Sequence, residues 1–91
     1  MDSYIVGNNN SGKTKRLLEC ARDKNSIVIC KNPYAMSEKA KSYGIFGLRF
    51  AKYDEIFARN LEDDNVVIDE IANFFEYCCG VKLDSFTMTV D

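Results

Sequence analysis

The chain of 91 residues carries 46 % hydrophobic residues and a formal net charge of −2, the makeup of a single globular domain, 1–91, with a thin core. The slight acidity gives no support for nucleic-acid binding through bulk charge, and the short apolar runs leave no membrane-spanning helix to expect. Met1-Asp2-Ser3 lacks the basic and apolar regions of a signal peptide, so the expected compartment is the cytoplasm.

In chain order, Ser3 to Val6 reads as a short buried strand, followed by a polar loop bounded by Gly7 and Gly12. A helix is expected from about Gly12 to Arg22, with Leu17, Leu18 and Ala21 on its apolar face. Asp23 to Ser26 is a polar break. Ile27 to Cys30 is an apolar, mostly β-branched run that reads as a strand covered on both faces. Pro33 can open the next helix, Ala35, Met36, Ala40 and Tyr43 recur at helical spacing, and Gly44 stops the run. Ile45 to Phe50 reads as a short strand with Phe46, Leu48 and Phe50 on one face. Tyr53 to Asn60 reads as a short helix with Ile56 and Phe57 inward. After the acidic turn from Glu62 to Asn65, Val66 to Ile68 is a third buried strand ending in Asp69-Glu70. A helix from about Ile71 to Cys79, stopped by Gly80, precedes an alternating final strand from Phe86 to Val90. Strands separated by helical stretches imply βαβ units and a parallel sheet with right-handed crossovers.

Cys20, Cys30, Cys78 and Cys79 form no C-x-x-C pair, and histidine is absent, so the usual zinc patterns are excluded. Cys20 and Cys30 read as small core residues, and Cys78 and Cys79 as inert thiols in a reducing compartment.

The stretch Gly7, Asn8, Asn9, Asn10, Ser11, Gly12, Lys13 and Thr14 fits G-x-x-x-x-G-K-[ST] between a strand and a helix. Its glycines permit close backbone approach to phosphate, and the helix start offers amides and a partial positive charge. Lys13 is expected to sit among the terminal phosphates and the Thr14 hydroxyl on a magnesium ion. An acidic partner is then expected at the end of another buried strand. Asp69 supplies it as a metal-holding carboxylate, and Glu70 follows as candidate base.

These two motifs resemble Walker A and Walker B of P-loop NTPases, in the branch with a catalytic glutamate after the Walker B aspartate. The resemblance implies a three-layer α/β fold with a mainly parallel sheet of four or five strands, binding ATP and Mg2+. It also implies that one further strand, Phe86 to Val90, lies between the Walker A and Walker B strands. Thr87 and Thr89 fall where that branch often carries a phosphate-sensing residue, although alternating threonines are also ordinary exposed strand residues. A fainter likeness, to thymidine kinases with a glutamate base, rests on Asp69-Glu70 followed by Phe74-Phe75. The spacing to the phenylalanines is longer by one residue, and that family's zinc cysteines and base-holding segment have no counterpart. The phenylalanines read as core or interface residues.

The expected function is an Mg-ATP-binding protein, a small ATPase or ATP-dependent switch acting with itself, a partner protein or DNA, the last without support from bulk charge. The alternatives are phosphoryl transfer to a small acceptor such as a nucleoside, and nucleotide binding without catalysis. The short length points to a reduced, viral or mobile-element version of the family, with base-gripping elements absent or supplied elsewhere. Arg49 and Arg59 are candidates for a charge-stabilising arginine, though each also reads as a solvated surface residue, while Arg16 and Arg22 are expected to face away.

Overall fold

Ile27 to Cys30 forms the strand around which the described structure is built, because all four of its side chains are buried. The computed structural model describes residues 5, 12–58, 64–87 and 89. Its elements are α1 (Lys13–Lys24), β1 (Ile27–Cys30), α2 (Pro33–Ser42), β2 (Arg49–Lys52), α3 (Glu55–Ala58), β3 (Val66–Ile68) and α4 (Ile71–Cys79). Among the described residues the sheet has three strands in the order β2-β1-β3, and both pairings are parallel. Ile29 stands opposite Ala51 on one side and Ile68 on the other.

The alternation of β1 divides the core in two. Val28 and Cys30 join Leu18 and Ala21 of α1, Met36 and Ala40 of α2, and Ile45 on one face. Ile27 and Ile29 join Ala51 and Tyr53 on the other face, with Ile56, Ile68 and Phe74 packed against them. Helices therefore cover both faces, as a parallel sheet requires. The described protein is mixed α/β with a small parallel sheet.

Local chemistry sets the helix ends. Asn32 caps α2 by accepting the Ala35 amide at 3.1 Å, and Pro33 follows at the first position. At the other end Gly44, at φ 75°, donates to the Lys41 carbonyl at 2.9 Å while Ile45 donates to Ala40 at 2.9 Å. These two bonds form a Schellman closure, whose left-handed residue favours glycine. The helix α1 runs two residues beyond the expected Arg22, to Lys24, where Asn25 takes the left-handed conformation and closes it.

The strand expected over Ile45 to Phe50 is displaced to Arg49–Lys52. Gly47 is left-handed, at φ 79°, which breaks the extended run. Leu48 and Phe50 still pack on the first core cluster, but Phe46 is 70 % exposed. The helix expected from Tyr53 begins at Glu55 and Phe57 faces solvent, because Tyr53 is drawn into the second core cluster. Residues 59 and 60 lie outside the described residues.

The expected final strand is not formed by the described residues 86, 87 and 89, and Phe86 is exposed. Alternation specifies the faces of a strand but not its neighbour, and a ladder needs one. Thr87 and Thr89 are exposed. The expected first strand and the loop Gly7 to Ser11 lie outside the described residues, apart from Ile5, which has no regular structure. No helix among the described residues is long and apolar enough to cross a membrane.

Cys30 is 1 % exposed, and burial, followed by the nearby Asp69 charge, pushes its thiol up to about 11 from 9.0. Cys78 and Cys79 are exposed and Cys20 is half-buried. Because the thiolate is the nucleophile, a shift of this size leaves roughly 100-fold less reactive Cys30. Iodoacetamide at pH 8 is therefore expected to label Cys78 and Cys79 first and Cys30 only on unfolding. Peptide mass spectrometry with time checks this, and equal labelling rates would contradict the buried placement.

Candidate functional site

In a parallel sheet the carboxyl ends of all strands open on one side, and helices that follow the strands start there. Here that side gathers the start of α1, the segment Asp69-Glu70 between β3 and α4, and Tyr53 just after β2. Because α1 packs on both β1 and β3, Lys13 and Asp69-Glu70 are carried to the same corner although they are far apart in sequence.

The helix α1 begins after Gly12, whose φ of 77° and ψ of 15° are left-handed. A side chain at position 12 would meet no atom of the described residues within 4 Å, and the left-handed backbone favours glycine there. Among the described residues no side chain caps this end, and its first turn carries no acid. Amides and dipole thus favour an anion at this end. Lys13 and Thr14 are each half-buried in this first turn.

Lys13 Nζ lies 3.0 Å from Glu70 Oε1, with the two side chains 26 % and 42 % exposed. A pair so open to water contributes only about 0–1 kcal/mol, and a competing phosphate can displace it readily. Glu70 precedes α4 with φ 58° and ψ 72°, a left-handed conformation that is uncommon outside glycine, asparagine and aspartate. Asp69 is fixed by its backbone on two sides. Its amide donates to the Ile29 carbonyl at 3.0 Å, and its carbonyl accepts from the Tyr53 hydroxyl at 3.1 Å.

Burial raises the Asp69 carboxyl above the ordinary aspartate range, and Glu70 adds to the rise while Lys39 and Lys13 oppose it. Burial also pushes the Tyr53 hydroxyl up to about 12, with Asp69 the next cause, so Tyr53 stays a hydrogen-bond donor at neutral pH. The structure thus brings Lys13, Asp69 and Glu70 into one electrostatic cluster, and Thr14 follows Lys13 in the first turn of α1. Gly7, Asn8, Asn9, Asn10 and Ser11 lie outside the described residues.

The donor set fits a magnesium–phosphate ligand. Magnesium keeps several waters and takes one or two protein oxygens plus phosphate, rather than an all-protein cage. A threonine hydroxyl and one partly buried carboxylate suit that chemistry. Among the described residues no three histidine, cysteine, aspartate or glutamate side chains gather to make such a cage.

Two arginines expected as candidates or bystanders have structural partners. Arg49 starts β2, at the opposite end of the sheet, where it donates to the Asn25 carbonyl at 2.8 Å and pairs with Asp64 at 3.3 Å. It ties α1 to the segment entering β3, so it supplies no charge to this site within the chain. Arg22 pairs with its neighbour Asp23, and Arg59 lies outside the described residues. Phe74 packs edge-on against Tyr53, with ring centroids 5.3 Å apart, and Phe75 is half-buried.

Sequence reasoning missed Tyr53 and Lys39. Tyr53 reads from the sequence as the start of a helix and Lys39 does not stand out, since neither carries a motif that marks the site. No protein-family model, curated protein or solved structure matches the chain, so the reading of this corner rests on its own residues.

Proposed function

We propose that this chain is a P-loop protein that binds ATP with magnesium and acts as a small ATPase or ATP-dependent switch, alone, as a self-associated assembly or with a partner protein. The observation that carries the reading is the 3.0 Å approach of Lys13, from the glycine-bounded loop and helix start, to Glu70, from the acidic end of β3. Two sequence elements expected to cooperate in phosphate chemistry meet in space. The left-handed glycine before the helix and the partly buried aspartate beside the pair support the same reading.

The resemblance further implies a sheet of four or five strands. What supports this is that β3 pairs with β1 on one side only among the described residues. Its other edge is where further strands would lie, although residues 86, 87 and 89, expected in one of them, form no strand. Its first residue, Val66, is 42 % exposed, as an unpaired edge position allows.

In this reading Lys13 exchanges its carboxylate partner for phosphoryl oxygens, and the amides at the start of α1 hold the same phosphates. The Thr14 hydroxyl and the Asp69 carboxylate hold magnesium, which when bound neutralises charge on the phosphates. Glu70, released from Lys13, accepts a proton from a water at the site. The nucleoside-kinase alternative gains nothing from Phe74, which is taken up in packing on Tyr53.

Calorimetric titration with ATP and magnesium, beside Lys13→Ala, tests the proposal. Micromolar binding by the wild type is expected, and its loss in the variant, because charge-assisted contacts to phosphate contribute about 1.5–3 kcal/mol each. A wild-type chain that takes up no nucleotide would overturn it. Hydrolysis that rises more steeply than protein concentration is expected if copies complete one another's sites.

A further inference from the structure

Tyr53 sits in the turn after β2 with only 4 % of its surface exposed. Phe74 meets its ring edge-on at 79°, and Tyr77 lies 5.8 Å away at a tilt. Packing of this kind asks only for an aromatic ring, and phenylalanine would satisfy it. What phenylalanine could not supply is the hydroxyl, which donates to the Asp69 carbonyl at 3.1 Å.

That bond acts on a particular peptide. The Asp69 amide is already held by the Ile29 carbonyl at 3.0 Å, so the Tyr53 bond leaves both backbone polar groups of Asp69 anchored. The carbonyl belongs to the peptide joining Asp69 to Glu70, and its orientation is coupled to the φ of Glu70. That φ is 58°, and from this turn the Glu70 carboxylate reaches Lys13 at 3.0 Å. An extended or right-handed Glu70 would start α4 differently and carry its side chain elsewhere.

We propose that Tyr53 is a positioning residue for this site: by holding the Asp69 carbonyl it fixes the Asp69–Glu70 peptide in its left-handed turn and aims the Glu70 carboxylate at Lys13. The consequence for turnover rests on the reading of Glu70 as base; the geometric role stands without it.

Tyr53→Phe keeps the ring and removes the hydrogen bond. In the wild type, NMR should show the strong amide-to-α-proton contact within Glu70 that a positive φ produces. Loss of that contact is expected in Tyr53→Phe, with the resonances of α2 unmoved. Its persistence in the variant would overturn the proposal. With ATP and magnesium, the variant should lose about tenfold in kcat with KM unchanged, since misplacement of a reacting group acts on the chemical step. A rise in KM with kcat intact would overturn the link to Glu70. A wild type that hydrolyses no ATP, with the Glu70 signature lost in Tyr53→Phe, would remove the ATPase reading and support the positioning role.

Should Tyr53→Phe fold poorly, the wild type alone decides. A Tyr53 hydroxyl proton that exchanges slowly is expected, and one in fast exchange with water would overturn the proposal.

Discussion

Glu70→Gln is expected to bind nucleotide with affinity close to that of the wild type and to lose about 10²–10⁴-fold in turnover, the range that a positioned general base contributes. Glutamine keeps the size and hydrogen-bonding reach of the side chain but cannot accept a proton at neutral pH. Binding is spared because the contact it alters is the 3.0 Å pair with Lys13, which is partly open to solvent and contributes about 1 kcal/mol or less. Any change in affinity should favour binding, since the variant removes the ion pair that competes with phosphate for Lys13 and a negative charge beside Asp69. The same charge removal should lower the Asp69 carboxyl. Burial is the first cause of its rise and stays in place, whereas Glu70 is the second cause and is lost. Single-turnover hydrolysis, calorimetry and carboxyl-carbon NMR titration measure the three effects on one variant. Equal turnover in wild type and variant would sink Glu70 as base, whatever the binding result.

What could be read from the chain follows from which physical terms are local. Ile27 to Cys30 and Val66 to Ile68 were legible as strands because an apolar, mostly β-branched run between polar turns has few other outcomes. Ile27 to Cys30 is buried as expected, whereas Val66 to Ile68 lies at the edge of the described sheet with Val66 exposed, because among the described residues only β1 pairs with it. The ends of α2 and α4 were legible because Pro33, Gly44 and Gly80 act on their own backbone. Lys13, Asp69 and Glu70 could be named because the loop and the strand end each carry a recognisable pattern, and the structure puts them in one corner. The strand around Phe50 was displaced because Phe46, Leu48 and Phe50 alternate correctly while Gly47 adopts a backbone that alternation does not register. Tyr53 was out of reach for a different reason. Its importance lies in a carbonyl belonging to a residue well downstream, and no spacing rule connects a tyrosine hydroxyl to a distant backbone acceptor. The left-handed Glu70 was equally hidden, since glutamate has no intrinsic preference for that region.

Ile29→Ala is expected to be the most damaging of the conservative core truncations, costing about 3–4 kcal/mol. Ile29 is fully buried at the centre of the central strand, opposite Ala51 on one side and Ile68 on the other. Ala51 is small and its backbone is pinned in the ladder, so the neighbours have little freedom to close the void. A chain this short has about 5 kcal/mol of stability to lose. At about 4–8 °C per kcal/mol for a domain of this size, the melting midpoint should fall by roughly 12–30 °C. Ile29→Val removes a single methylene and should cost about 1 kcal/mol. Phe57→Ala, at a side chain 71 % exposed, should stay within about 0.5 kcal/mol despite the larger deletion. Thermal and urea denaturation of the three variants give the order directly. An Ile29→Ala protein as stable as Phe57→Ala would mean that β1 is not the centre of the core. The effect should reach the site as well. The Ile29 carbonyl holds the Asp69 amide, and its side chain shares a cluster with Tyr53, which holds the Asp69 carbonyl. Loosening Ile29 therefore slackens both anchors of Asp69 at once. Ile29→Ala should consequently bind magnesium-ATP more weakly even at temperatures where it remains folded, whereas Phe57→Ala should bind as the wild type does.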